Sequence, residues 1–192
     1  MSGRALIAIV RRRLSPATLR EMILTLIAGF AFGLLVHTQD LLALATLVSI
    51  AGACASRCLR QEFRNPIVFA APLYGRELAR AEAVVPLVRT ALFALALVAG
   101  TTLRGVLPPL QTLVVVLLSG VVAALTGLSG ALRSGWSEYL YALLAISAGI
   151  VTALSSRVGG SETLLAPVAA ASVIGFIALR AFAETLARYD PI

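Results

Sequence analysis

The sequence predicts an all-α protein that crosses a membrane about six times, with an interfacial helix ahead of the first span and a short charged helix between the second and third. Three observations predict this class. Of the 192 residues 59% are hydrophobic and only 13% charged, too few charges to cover a water-soluble domain of this size. The mean hydropathy is +0.95, and the apolar residues fall in runs long enough to cross ~30 Å of hydrocarbon. The basic residues are all arginine, 16 against 9 acidic residues for a net charge of +7. They gather at the ends of the apolar runs and are not interleaved with aromatic residues, so membrane topology explains the excess better than nucleic-acid binding does.

Residues 1–20 form the first unit. Leu6, Ile7, Ile9 and Val10 are apolar, while Arg4, Arg11, Arg12, Arg13 and Arg20 can reach phosphate head groups. That composition suits an amphipathic helix lying on the membrane surface. The run 5–10 is too short for a secretory signal, and its arginines follow it instead of preceding it. Ser15-Pro16 turns the chain into the bilayer, with Pro16 suited to a first helical turn.

Residues 21–192 form the transmembrane unit. The first span, 22–36, carries Gly29 and Gly33 at a small-xxx-small spacing that lets another helix come close. After a turn ending at Asp40, the second span covers 41–56, and the short connection predicts an antiparallel hairpin of these two helices. The third span, 83–103, has Pro86 and Arg89 near its start; Arg89 is expected to snorkel outward or to pair with a glutamate such as Glu82. The turn at Arg104 to Pro109 leads to a charge-free fourth span, 110–132, whose Gly120, Gly127 and Gly130 permit close packing or a kink. The fifth span, 136–156, opens on Trp136, Tyr139 and Tyr141, an interfacial aromatic belt. The sixth, 163–179, contains Pro167 and ends at Arg180, leaving a short charged tail.

Arginine placement sets an expected orientation. With the N-terminus inside, the inner segments hold Arg4 to Arg20, Arg57 to Arg80, Arg133, Arg180 and Arg188, and the outer loops only Arg104 and Arg157. The positive-inside rule then places both termini and the 57–80 segment in the cytoplasm of a cell (inner) membrane protein.

The residues that carry chemistry are sparse. His37 is the single histidine, so a histidine metal site or a nucleophile triad within the chain is not expected. Cys54 and Cys58 share one helix face; a soft-metal or haem role is the sharper reading, and packing between helices the expected one. There is no GxxxxGK[ST] phosphate loop. The carboxylates Glu21, Asp40, Glu62, Glu77, Glu82, Glu138, Glu162, Glu184 and Asp190 fall at span ends or in loops, which disfavours a proton relay. The expectation is a chain that is not an enzyme and holds no metal and no cofactor.

The polar island 57–82 stands out. Its stretch Phe69-Ala-Ala-Pro72-Leu-Tyr-Gly-Arg76-Glu77-Leu-Ala-Arg80-Ala-Glu82 resembles the cytoplasmic loop of type-2 ABC exporter permeases, and the six-span plan with its amphipathic start is similar to theirs. The resemblance implies that residues 74–83 are a coupling helix docking on a separate ATPase subunit, which would supply the ATP hydrolysis. Arg76, Glu77, Arg80 and Glu82 would be its polar contacts, with Leu73 and Leu78 packing. It also implies pairing with a second permease chain, a copy of this one or a sister. The short outer loops imply a compact permease. Two other readings stand beside it: a membrane anchor or assembly subunit of a larger complex, and an island that is simply a solvated loop.

Overall fold

The structure is a computed structural model and describes residues 16–36, 40–57, 75–105, 107–132, 136–158 and 164–187. Most of the expected interfacial helix (1–15) and most of the island (58–74) lie outside the described residues. What is described is six helices: α1 Pro16–Leu35, α2 Leu41–Arg57, α3 Gly75–Leu103, α4 Leu110–Ala131, α5 Trp136–Val158 and α6 Leu165–Ala187. All but α2 are long and apolar enough to cross a membrane, and the chain is a multi-pass membrane protein. With its 17 residues, α2 is about 25 Å long.

The centre of the bundle is α4. It packs against α2, α3, α5 and α6, and 61% of its apolar span is buried, against 17% for α1. Its sequence explains the position. Ser119, Gly120, Ala123, Ala124, Gly127 and Ala131 are all buried on α4, and small side chains let neighbouring backbones approach where no hydrophobic force draws helices together. A Cβ on Gly52 of α2 would lie 2.6 Å from the Gly120 carbonyl oxygen and 3.0 Å from the Ala124 nitrogen. One on Gly120 would overlap Val48 and Thr90, one on Gly127 would overlap the Ser56 hydroxyl, and one on Gly149 of α5 that of Ser49. Larger residues fill the space between these contacts: Leu44, Val48, Phe93, Leu97, Val115 and Val116 form one cluster, and Leu128, Phe182 and Leu186 close another between α4 and α6.

The hairpin expected of α1 and α2 does not form, because α1 packs along α3 instead. Backbone fit decides the partner. A Cβ on Gly29 would sit 2.6 Å from the Phe93 carbonyl oxygen, and one on Gly100 would sit 2.9 Å from the Gly33 Cα and 2.6 Å from the Phe30 carbonyl oxygen. The Phe32 and Phe93 rings lie beside this crossing at 6.3 Å.

Two helices run further than expected. Residues 75–83 are no separate short helix; they continue into the span as one 29-residue α3, about 43 Å long. Pro86 lies inside α3 and removes one backbone bond, and the Thr90 hydroxyl bonds back to its carbonyl at 2.8 Å. The other is α6, which passes Arg180 and reaches Ala187, the Arg180 Nε bonding the Glu184 carboxylate one turn on at 3.0 Å. Several buried hydroxyls bond their own helices: Ser119 to the Val115 carbonyl at 2.8 Å and Thr152 to that of Ala148 at 2.9 Å. Lipid offers them no other acceptor. After α3, Gly105 takes φ +77°, a turn that glycine adopts without strain.

Replacing Gly29 and Gly33 together by leucine drives side chains into the α3 backbone. We expect a loss of at least about 1–3 kcal/mol in thermal unfolding in detergent. Leu24→Ala, on the exposed side of α1, should stay within about 0.5 kcal/mol.

Candidate functional site

The charged end of the bundle is where α1, α3 and α5 begin and α2, α4 and α6 finish. The helices meet there through ionic groups that their own sequences place near the membrane boundary. Arg89, two turns into the α3 span, is only 4% exposed, and its guanidinium pairs with the Glu21 carboxylate of α1. Arg89 therefore does not snorkel; it pairs with a glutamate, and the partner is Glu21 instead of Glu82. A guanidinium this deep needs a counter-ion, since an unpaired charge in a low-dielectric interior costs several kcal/mol. Glu21 supplies it, and its own side chain stays half exposed.

The second pair joins α2 to α5. The Arg57 Nε lies 3.5 Å from the Glu138 carboxylate, and the guanidinium stands over the Tyr139 ring, 5.3 Å from its centre. Trp136 packs edge-on against Tyr139 at 6.5 Å, and both rings are exposed. Tyr141 is half-buried, its Cβ occupying the space beside Gly130. The opposite end of the same two helices carries a further pair, Arg157 with Asp40 at 3.9 Å. Arginine–carboxylate pairs thus fix α2 against α5 at both ends, with the Ser49–Gly149 contact between them.

The residues named for a docking surface divide. Leu73 lies outside the described residues. Arg76, Glu77, Leu78 and Arg80 fall on the first turns of α3, ahead of the apolar run that follows Glu82. Glu82 itself is 1% exposed: its carboxylate is folded into the bundle and offers no surface to a separate partner. This also changes the reading of the carboxylates, because one of those counted at span ends is buried. Gly29 and Gly33 lie at the α1–α3 crossing, Gly120 and Gly127 against α2. Cys54, expected to pack between helices, faces outward while Ala53 and Ala55 are buried; Cys58 is outside the described residues. Among the described residues no three His, Cys, Asp or Glu side chains come together as a metal site would require.

Sequence reasoning missed the Glu21–Arg89 and Arg57–Glu138 pairs. The available signal was depth: each pair joins residues near the same end of the bundle, across the parallel helices α1 and α3 in one case and the antiparallel helices α2 and α5 in the other. Comparison of the chain with protein families, with curated proteins and with solved structures gives no match.

The Glu21–Arg89 pair yields a test. Glu21→Gln leaves a buried guanidinium without its charge partner and should cost about 1.5–3 kcal/mol in thermal unfolding. Glu184→Gln, in an exposed pair of one helix, should cost at most about 0.5 kcal/mol. Removing both partners, Glu21→Leu with Arg89→Leu, should recover most of the loss.

Proposed function

We propose that the chain is the membrane-spanning permease subunit of an ATP-driven exporter, energised by a separate ATPase that docks on the 57–82 segment. One observation carries the reading. The helix α3 is continuous from Gly75 to Leu103, while the charges Arg76, Glu77, Arg80 and Glu82 precede its apolar run. Its first turns therefore extend about 10 Å beyond the span on a rigid helix, with Arg76, Glu77, Leu78 and Arg80 on them. A partner gripping that extension has a direct mechanical route into the bundle. Movement of α3 passes to α1 through Glu21–Arg89 and the Gly33–Gly100 crossing, and to α4 through Thr90 and Gly120. The arginine-rich end lies on the cytoplasmic side in this reading, where ATP is available. ATP hydrolysis resides on the partner, and this chain holds no cofactor.

A specific observation also supports the second reading, a membrane anchor or assembly subunit. At the α2–α4–α5 junction Gly52, Gly120 and Gly149 bring backbone against neighbouring atoms, so a substrate path does not run there. In the exporter reading the path lies between this chain and a second permease chain; in the anchor reading there is none.

Purification of the tagged chain from its own cells separates the two. The exporter reading expects a Walker-type ATPase to co-purify, Leu78→Asp to abolish the association with the chain still inserted, and Arg104→Ala, at the opposite end, to leave it intact. If no ATPase accompanies the unmodified chain, the anchor reading replaces it.

A further inference from the structure

At the end of the bundle away from the arginine-rich segments, a cleft of about 380 Å³ opens between the start of α2, the start of α4 and the end of α5. Leu41, Val115 and Leu164 make its apolar wall; Gln111, Thr112 and Arg157 make it polar. We propose that this cleft binds the head group of a phosphatidylethanolamine-type lipid, with the phosphate on Arg157 and the ammonium on Asp40.

The lengths of the helices put a head group here. Between Asp40 and Arg57 the apolar run of α2 covers about 25 Å of a ~30 Å hydrocarbon core. Its neighbours α4 and α5 have 22 and 23 residues. A short helix beside longer ones draws polar groups of the bilayer down to its end. Leu41 is the first residue of α2, Gln111 and Thr112 lie in the first turn of α4, and Arg157 is in the last turn of α5, so the cleft lies at the depth where head group meets chain.

The charges choose the head group. Arg157 and Asp40 are 3.9 Å apart with side chains 60% and 52% exposed. That separation exceeds a hydrogen bond, whereas Arg180 bonds Glu184 at 3.0 Å. The two groups thus present a positive and a negative charge side by side, with donors of Arg157 still open to a ligand. A guanidinium takes two phosphate oxygens in a fork, and a primary ammonium has three donors for a carboxylate. A zwitterion carrying both complements the two charges; a plain anion would meet the Asp40 carboxylate, and a trimethylated ammonium has no donor to give it. The α4 N-cap, Pro109, makes no side-chain cap bond, so the first-turn amides add a positive dipole on the phosphate side. The acyl chains leave along Leu41, Val115 and Leu164.

Native mass spectrometry of the full chain from mixed micelles tests this, with short-chain phosphatidylethanolamine, phosphatidylcholine and phosphatidylglycerol at equal concentration. Retention of the ethanolamine lipid should exceed that of the choline lipid by about tenfold. Asp40→Asn should remove the preference; it is the cleaner variant, because asparagine still caps α2 as Asp40 does through the Leu42 amide. Arg157→Gln should remove it as well. Free phosphoethanolamine at the same concentration should not compete, since it lacks the chains. Equal retention of all three lipids, an unchanged ethanolamine preference in Asp40→Asn, or full competition by free phosphoethanolamine would each overturn the proposal.

Discussion

Everything in this bundle depends on how closely helix backbones approach at α4. Lipid tails are as apolar as leucine, so burying an apolar side chain between membrane helices gains little over leaving it in the bilayer. What remains is contact, and contact is closest where side chains are smallest. Among the five long helices burial rises with mean hydropathy, from α1 at 1.6 and 17% to α4 at 2.2 and 61%, but in lipid that gradient exerts no inward pull. The difference is that α4 presents glycine, alanine and serine to several neighbours, whereas α1 presents Gly29 and Gly33 to one.

Close packing leaves the ends of the helices to electrostatics. At one end Arg89 reaches Glu21 and Arg57 reaches Glu138; at the other, Arg157 faces Asp40. The exposed pairs add little stability singly, but together they fix which residue of α2 lies beside which of α5. The short α2 becomes a ruler for the local membrane. Its terminal charges are separated by less than the usual hydrocarbon thickness, so polar groups must come down to meet it on the side of the cleft. In the other direction α3 is longer than any bilayer needs, and its excess projects beyond the apolar layer.

The helices were legible because an uninterrupted apolar run of membrane length fits a bilayer and little else. Their partners were less legible. A short connection suggested that α1 lies on α2, but the surface that fits Gly29 and Gly33 is on α3, where Ala96 and Gly100 recur at matching spacing. Boundaries erred where a charge was read as an end: Arg180 looked like a terminus, yet its partner Glu184 is one turn further along the same helix. Likewise the charges 76–82 suggested a separate helix, although no breaker stands between Arg76 and the span. Burial of Glu82 was not legible, because a glutamate at a span boundary reads as solvated unless the neighbouring helices are known.

That α4 is the inner helix and α1 an edge helix is the arrangement on which the rest stands. Nitroxide scanning in lipid nanodiscs tests it most directly, by placing single labels along 115–130 and along 19–35 and measuring collisional relaxation by oxygen, which concentrates in lipid. The predicted result is low oxygen accessibility at most α4 positions, and along α1 high accessibility with dips at Gly29 and Gly33. High accessibility along one whole face of α4, with α1 shielded, would contradict it.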